Sequence, residues 1–298
     1  MTSKKILIVS GTHGNEINPV WAVNQFIKQN HTFDSNIEYE FIIGNPLAYE
    51  RGCRYIDIDL NRSFNSIKYK LDNSIYEIKR ANFLIEKFGV NGSEPCEIAI
   101  DLHTTTANMG TSIVMYGRRK KDFCLAALLQ HKFGLPIYLH EKDEKQNGFL
   151  VEAWPCGLVI EIGSVAQNFY DPKIINRFLI IISSLRDEIS KLKNNQIKIP
   201  KGLIVHVHKG SIDYPREKNG NISSLIHPER INQDWNPIKK GDPLFMDIEG
   251  NTVVYEEEEI VWPVFIGEVA YKEKNIAMSY TKKEVINISN QTSEEFFN

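Results

Sequence analysis

Four stretches carry side chains whose types and spacing could do chemistry together. The first is Ser10-Gly11-Thr12-His13-Gly14-Asn15-Glu16. His13 and Glu16 stand three residues apart and offer an imidazole nitrogen and a carboxylate oxygen to one metal ion. A third ligand must come from elsewhere, and the candidate is His103 in Asp101-Leu102-His103-Thr104-Thr105. Two histidines and a glutamate leave one position open on a tetrahedral zinc, which is what separates a catalytic site from a structural one. One zinc per chain is therefore expected. Taken singly, each histidine reads as well as a turn residue or a satisfied strand-end residue. The set of three favours a metal.

Glu161 is the next candidate. It interrupts an apolar run, Leu158-Val159-Ile160-Glu161-Ile162. A carboxylate buried there is costly without a partner. Burial raises its pKa toward the range of a general base. Beside a metal-activated water it could take the proton and later hand it to a leaving nitrogen. The competing reading is an ion pair with Arg54 or Arg62. Those arginines belong to the fourth stretch, Arg54-Tyr55-Ile56-Asp57-Ile58-Asp59-Leu60-Asn61-Arg62. Guanidinium groups bind carboxylates bidentately or steady an oxyanion, and Asn61 adds an amide donor. For each arginine alone, a surface salt bridge to Asp57 or Asp59 competes with that role. His31, His131, His140, His206, His208 and His227 are set aside as structural or surface residues. His206 and His208 are read as facing opposite sides of a strand, hence poor co-ligands.

The elements that must position these groups follow from periodicity. The apolar run 6–9 reads as a buried strand, broken by two glycines and followed by helical spacing over 17–28. His13 and Glu16 thus fall between a strand end and a helix start, where open α/β sheets collect their sites. Further strands are expected at 38–43, 98–102, 111–116, 136–140 and 158–162. Helices are expected at 74–88, 122–132 and 172–192, with a helical turn at 47–52. This alternation predicts an α/β fold with a mostly parallel sheet covered by helices on both faces. After residue 198 the pattern changes to short alternating runs with turn signals at 218–220, 240–243 and 249–251, the mark of a smaller all-β unit. The boundary is placed there, giving domains 1–198 and 199–298. The polar stretch 141–148 is a possible lid, 256–259 a solvated hairpin loop, and the residues from Ser289 a polar tail.

The bulk properties exclude several classes. The chain has 298 residues and a net charge of −3. No long basic patch invites nucleic acid. No window reaches the roughly 18 apolar residues of a membrane span. The N-terminal apolar run is too short for a secretory signal. Cys53, Cys96, Cys124 and Cys156 are widely spaced with no CxxC pair, which fits free thiols in a reducing compartment. A cytoplasmic protein, assembled as a homo-oligomer, is expected.

These pieces, together with Gly44-Asn45-Pro46, Asp213-Tyr214-Pro215-Arg216, His227-Pro228, Gln233-Asp234-Trp235, Gly241-Asp242-Pro243 and Pro263-Val264-Phe265-x-x-Glu268, resemble the aspartoacylase and succinylglutamate desuccinylase family. That family is related to the zinc carboxypeptidases, and the C-terminal motifs look like its aspartoacylase branch. The resemblance implies a zinc-carboxypeptidase-like fold and a zinc held by His13, Glu16 and His103. It implies Glu161 as general base and acid, Arg54 polarising the scissile carbonyl, and Asn61 with Arg62 gripping the substrate carboxylate. Tyr271, which spacing alone would not single out, would reach the site from the β domain. That domain would cap the pocket and exclude large peptides.

The implied activity is zinc-dependent deacylation of N-acyl amino acids, with N-acetyl-L-aspartate first. Other N-acyl amino acids, a true carboxypeptidase and a non-catalytic metal-binding protein are the alternatives. One departure stands out. The arginine that reads the second substrate carboxylate in aspartoacylases has no counterpart in residues 146–154. Lys142 or Lys145 could substitute, or the substrate differs.

Overall fold

The computed structural model describes residues 4–29, 37–64, 74–141, 146–288 and 292–297. His31, the Lys142 and Lys145 alternatives and residues 142–145 of the expected lid lie outside them.

The first half alternates strands and helices, as the periodicity requires. β1 (Lys4–Ser10), α1 (Ile17–Lys28), β2 (Ile37–Ile43), the short α2 (Pro46–Arg51) and α3 (Tyr76–Phe88) come first. β3 (Ile98–Thr104), β4 (Thr111–Tyr116), α4 (Lys120–Phe133), β5 (Ile137–His140), β6 (Cys156–Ile162) and α5 (Pro172–Lys193) follow. β7 (Gly202–Ile212), β8 (Leu225–Ile226), β9 (Pro243–Met246), β10 (Thr252–Val254), β11 (Trp262–Val264), β12 (Met278–Asn287) and α6 (Ser293–Phe297) complete the described chain.

Nine strands form one mixed sheet in the order β11-β12-β7-β5-β4-β6-β3-β1-β2. Its pairs from β2 to β6 are parallel, β4 runs antiparallel to β6, and β12 runs antiparallel to both β7 and β11. The C-terminal strands β7, β12 and β11 therefore extend the sheet built by the first half. β8, β9 and β10 form a separate three-stranded sheet.

Alternate residues of each strand serve opposite layers. Ile6, Ile8, Ile100, Leu102, Ile160 and Ile162 join the buried faces of α1, α4 and α5. Leu7, Val9, Ala99 and Val159 meet Ala81, Leu84 and Phe88 of α3. Helices thus cover both faces, and the layer on the α3 side also carries the site. The expectation of a polar tail is corrected at its end. Phe296 of α6 is buried in the main core and Phe297 packs against it, because two adjacent aromatic rings carry enough apolar surface to be drawn out of water.

Candidate active site

Strand ends bring the chemical groups together. β1 delivers its last residues to a turn in which Gly11 has φ +65°, a conformation glycine adopts without penalty. A Cβ on Gly14 would stand 2.1 Å from the backbone of Ala48. Only glycine lets the His13 turn pack so closely on α2. His103 is the next-to-last residue of β3, and its parallel neighbour β6 places Glu161 directly beside it in register. Residues of equal parity share a face, so both side chains enter the same cavity.

His13, Glu16 and His103 are buried, and one donor atom from each falls within 4.8 Å of the others. Glu16 receives His13 Nδ1 at 2.6 Å on one oxygen and His103 Nδ1 at 3.1 Å on the other. Backbone Thr104 N–H donates to it at 2.9 Å. The outer nitrogens are fixed by carboxylates. His13 Nε2 meets Asp59 at 3.1 Å, and His103 Nε2 meets Asp101 at 2.7 Å. Thr12 Oγ1 donates to the other oxygen of Asp101 at 2.7 Å. A histidine that donates Nε2–H to a carboxylate presents a lone pair on Nδ1. Two such nitrogens facing one carboxylate form a donor set that fits a divalent ion. Burial opposes charge on Glu16, but the two imidazoles hold its carboxyl far below the usual range. Burial likewise opposes the His103 imidazolium, and Asp101 with Glu16 override it and raise its pKa.

Glu161 has the opposite surroundings. Its carboxylate makes no ion pair with Arg54 or Arg62, which disposes of that competing reading. Burial, reinforced by Glu16 and Glu268, pushes it up to about 8 against the pull of His103 and Arg54.

The arginine loop is organised by a residue sequence reasoning missed. Glu77, on α3 and fully buried, accepts from the backbone N–H groups of Ile56, Asp57 and Ile58 at 2.7, 3.0 and 3.2 Å, and from Asn45 Nδ2 at 3.0 Å. Glutamate on a helix otherwise reads as solvated, and no pattern in the chain marks it. Arg54 pairs with Asp59 at 3.3 Å, as the competing reading expected, and with Glu16 at 3.5 Å. It does so inside the site rather than at the surface, and its Nε is buried with no partner among the described residues. Asn61 Oδ1 accepts from Leu150 N–H at 2.8 Å. The Arg62 guanidinium lies 4.0 Å over the Phe149 ring, which itself stacks on Tyr116 at 3.6 Å.

Tyr271 sits on a short 3-10 helix, Val269–Lys274, tied to the first half by Glu268. One Glu268 oxygen accepts from Thr106 N–H at 2.8 Å and Ala107 N–H at 3.3 Å, and from the Thr105 hydroxyl. The other caps the helix through Ala270 N–H at 3.0 Å.

All eight residues singled out from sequence line one cavity of about 630 Å³, mouth included. The wall contains further groups. His140, set aside from sequence, lines it beside Tyr138. The Tyr138 hydroxyl lies 3.1 Å from His140 Nδ1 and 2.8 Å from His208 Nδ1. A single hydroxyl proton can serve only one of them, so the other imidazole carries its own proton on Nδ1. The reading of His206 and His208 is also corrected. Residues two apart on a strand share a face, and both histidines project to the cavity side of β7, His206 bonding Thr281 at 3.2 Å.

The whole chain can be set beside known proteins. Residues 2–189 match the succinylglutamate desuccinylase/aspartoacylase catalytic domain, and residues 201–283 the AstE/AspA barrel-sandwich hybrid domain. A probable aspartoacylase of Prochlorococcus marinus subsp. pastoris is 82% identical, with 100% of both chains covered. Another, from Prochlorococcus marinus strain MIT 9515, is 80% identical over 100% of both. The crystal structure of murine aminoacylase 3 superposes with a TM-score of 0.87 at 28% identity, covering 97% of this chain and 98% of that one. The chain, with its His-Glu-His cluster at the strand ends, belongs to the succinylglutamate desuccinylase/aspartoacylase family.

Proposed function

We propose that this protein is a zinc-dependent amidohydrolase that deacylates N-acyl amino acids, with N-acetyl-L-aspartate as its first substrate. The observation that carries the reading is Glu161: a buried carboxylate with its pKa pushed up to about 8, one strand from a three-residue cluster that fits a divalent ion. The names of the relatives support the substrate class.

When bound to His13, Glu16 and His103, zinc supplies a Lewis acid and lowers the pKa of water. The remaining work falls to the chain. Glu161 takes a proton from the attacking water and delivers it to the departing amine, the double duty for which a pKa near ambient pH is suited. Arg54, whose Nε is buried without a partner, donates to the oxyanion that forms on the carbonyl. Asn61 is held through its Oδ1 by Leu150, which leaves its amide N–H groups for the substrate carboxylate. Arg62, clamped against Phe149, takes the same carboxylate bidentately. Tyr271 closes the cavity from the 269–274 helix.

A second reading has one observation behind it. Arg54 and Arg62 are the cationic side chains lining the cavity among the described residues, and Tyr116 with Phe149 gives it an aromatic wall. That combination also suits an N-acyl amino acid with a neutral side chain. Release of the free amino acid decides between them. N-acetyl-aspartate, N-acetyl-leucine and N-succinyl-glutamate are offered to the enzyme with and without a chelator. Chelator-sensitive release, fastest from N-acetyl-aspartate, is expected. Zinc binding without turnover of any of the three would overturn the reading.

A further inference from the structure

An acidic acyl amino acid brings two carboxylates, and the cavity wall accounts for one. Asn61 and Arg62 serve the first, while Arg54 is committed to the carbonyl and to Glu16 and Asp59. A third cation stands just outside the wall. Lys274 is the last residue of the 3-10 helix that carries Tyr271. Its ammonium lies 5.8 Å from the centre of the Tyr271 ring, and that ring lines the cavity.

The surroundings of Lys274 are unusual for a lysine. It is half-buried, and no carboxylate lies within ion-pairing distance among the described residues. The nearby acids are engaged elsewhere. Asp59 binds His13 and Arg54, and Glu273 accepts the Tyr55 hydroxyl at 3.0 Å. Burial pulls the ammonium down to about 8, and the Arg62 and Arg54 guanidiniums add to the pull against Asp59 and Glu273. Buried cations are ordinarily paired. This one feels the charge of two others of the same sign, an arrangement that an arriving anion relieves. A lysine side chain has the length and rotamer freedom to swing past a ring edge toward that anion.

We infer that Lys274 is a specificity-determining residue that binds the side-chain carboxylate of an acidic N-acyl amino acid while Asn61 and Arg62 hold the α-carboxylate. The inference rests on the amidohydrolase reading above and supplies the cation that residues 146–154 lack. Lys272, two residues earlier, is exposed on the same helix and serves as a control.

The test compares N-acetyl-aspartate with its neutral isostere N-acetyl-asparagine, so that only one charge differs. The wild-type enzyme is expected to favour aspartate. In Lys274→Met the aspartate-to-asparagine ratio of kcat/KM falls about 10- to 100-fold, the range for a lost hydrogen bond to a charged group, chiefly through KM. Lys274→Arg keeps the preference, and Lys272→Met leaves the ratio where it was. Turnover of N-acetyl-asparagine by Lys274→Met reports that the fold is intact. A Lys274→Met enzyme that still prefers aspartate, or that loses both substrates in equal measure, overturns the assignment. So does a wild-type enzyme indifferent to the charge, which leaves the amidohydrolase reading standing. A wild-type enzyme that cleaves no acyl amino acid takes both down.

Discussion

Glu16 and Glu161 are almost equally withdrawn from water, at 5% and 8% exposure, and they face the same cavity. Glu16 is held ionised well below the usual carboxylate range, and Glu161 keeps its proton to about pH 8. Burial acts in the same direction on both, so burial is not what separates them. The difference is the donors. On the β1 side, two imidazoles, a backbone N–H and Arg54 converge on Glu16. At the end of β6, Glu161 has no such set, and two neighbouring carboxylates push against its charge. A carboxylate that stays ionised suits a metal ligand. One that changes protonation near neutrality suits a proton carrier. The two walls of one cavity thus divide the labour by hydrogen-bond supply.

The contrast makes its largest prediction at Glu161. Glu161→Gln keeps the shape and removes the proton carrier. With the ligand wall untouched, zinc content measured by elemental analysis stays at one per chain while kcat falls about 10²- to 10⁴-fold. Loss of zinc together with activity would mean that Glu161 belongs to the ligand side, and the division would fail.

A smaller effect is expected one residue behind the ligands. Asp101 orients His103 through Nε2 and is itself held by Thr12. Asp101→Asn leaves all three ligands in place but weakens the hydrogen bond that fixes the tautomer. Zinc affinity, read by competition with a chromophoric chelator, falls about 10- to 100-fold. An unchanged affinity would show that the ligand wall does not depend on its outer carboxylates.

The same contrast explains what was legible in the sequence. The candidate ligands sit where periodicity is strongest: a run of apolar residues, a glycine break, then a helix. His13, Glu16, His103 and Glu161 announce themselves because a polar residue at the end of an apolar strand is an exception to the local pattern. The arginine loop was visible by composition. Its support was not, because Glu77 looks like any helix glutamate until three backbone N–H groups from 20 residues away are brought to it. Glu268 was visible as a motif residue, but its contacts were hidden for the same reason: they exist only after the 3-10 helix of the C-terminal half docks on Thr105 and Thr106. Tyr271 itself came from family resemblance alone. The α/β alternation was readable strand by strand, but nothing local says that β7, β12 and β11 join the same sheet, since pairing partners far apart in sequence leave no mark on either strand.

The smallest predicted effect concerns stability and isolates the Glu161 environment from catalysis. In the metal-free protein the folded Glu161 carboxyl titrates near 8, and in the unfolded chain near the ordinary 4.5. Below pH 4.5 both states hold the proton and the group is neutral to folding. Between 4.5 and 8 the unfolded state ionises first, so raising the pH favours unfolding. Above 8 both are ionised and the penalty levels off. Glu161→Gln cannot ionise and escapes that penalty. Its stability relative to wild type should therefore be near zero at pH 4.5 and grow to on the order of a few kcal/mol by pH 8.5, read from denaturant midpoints of the chelator-treated proteins. The sign of the change is the informative part: a carboxylate held by donors, as Glu16 is, would make the glutamine variant lose stability as the pH rises. A flat difference across the range would place the Glu161 carboxyl in contact with water, and the burial that it shares with Glu16 would carry no penalty there.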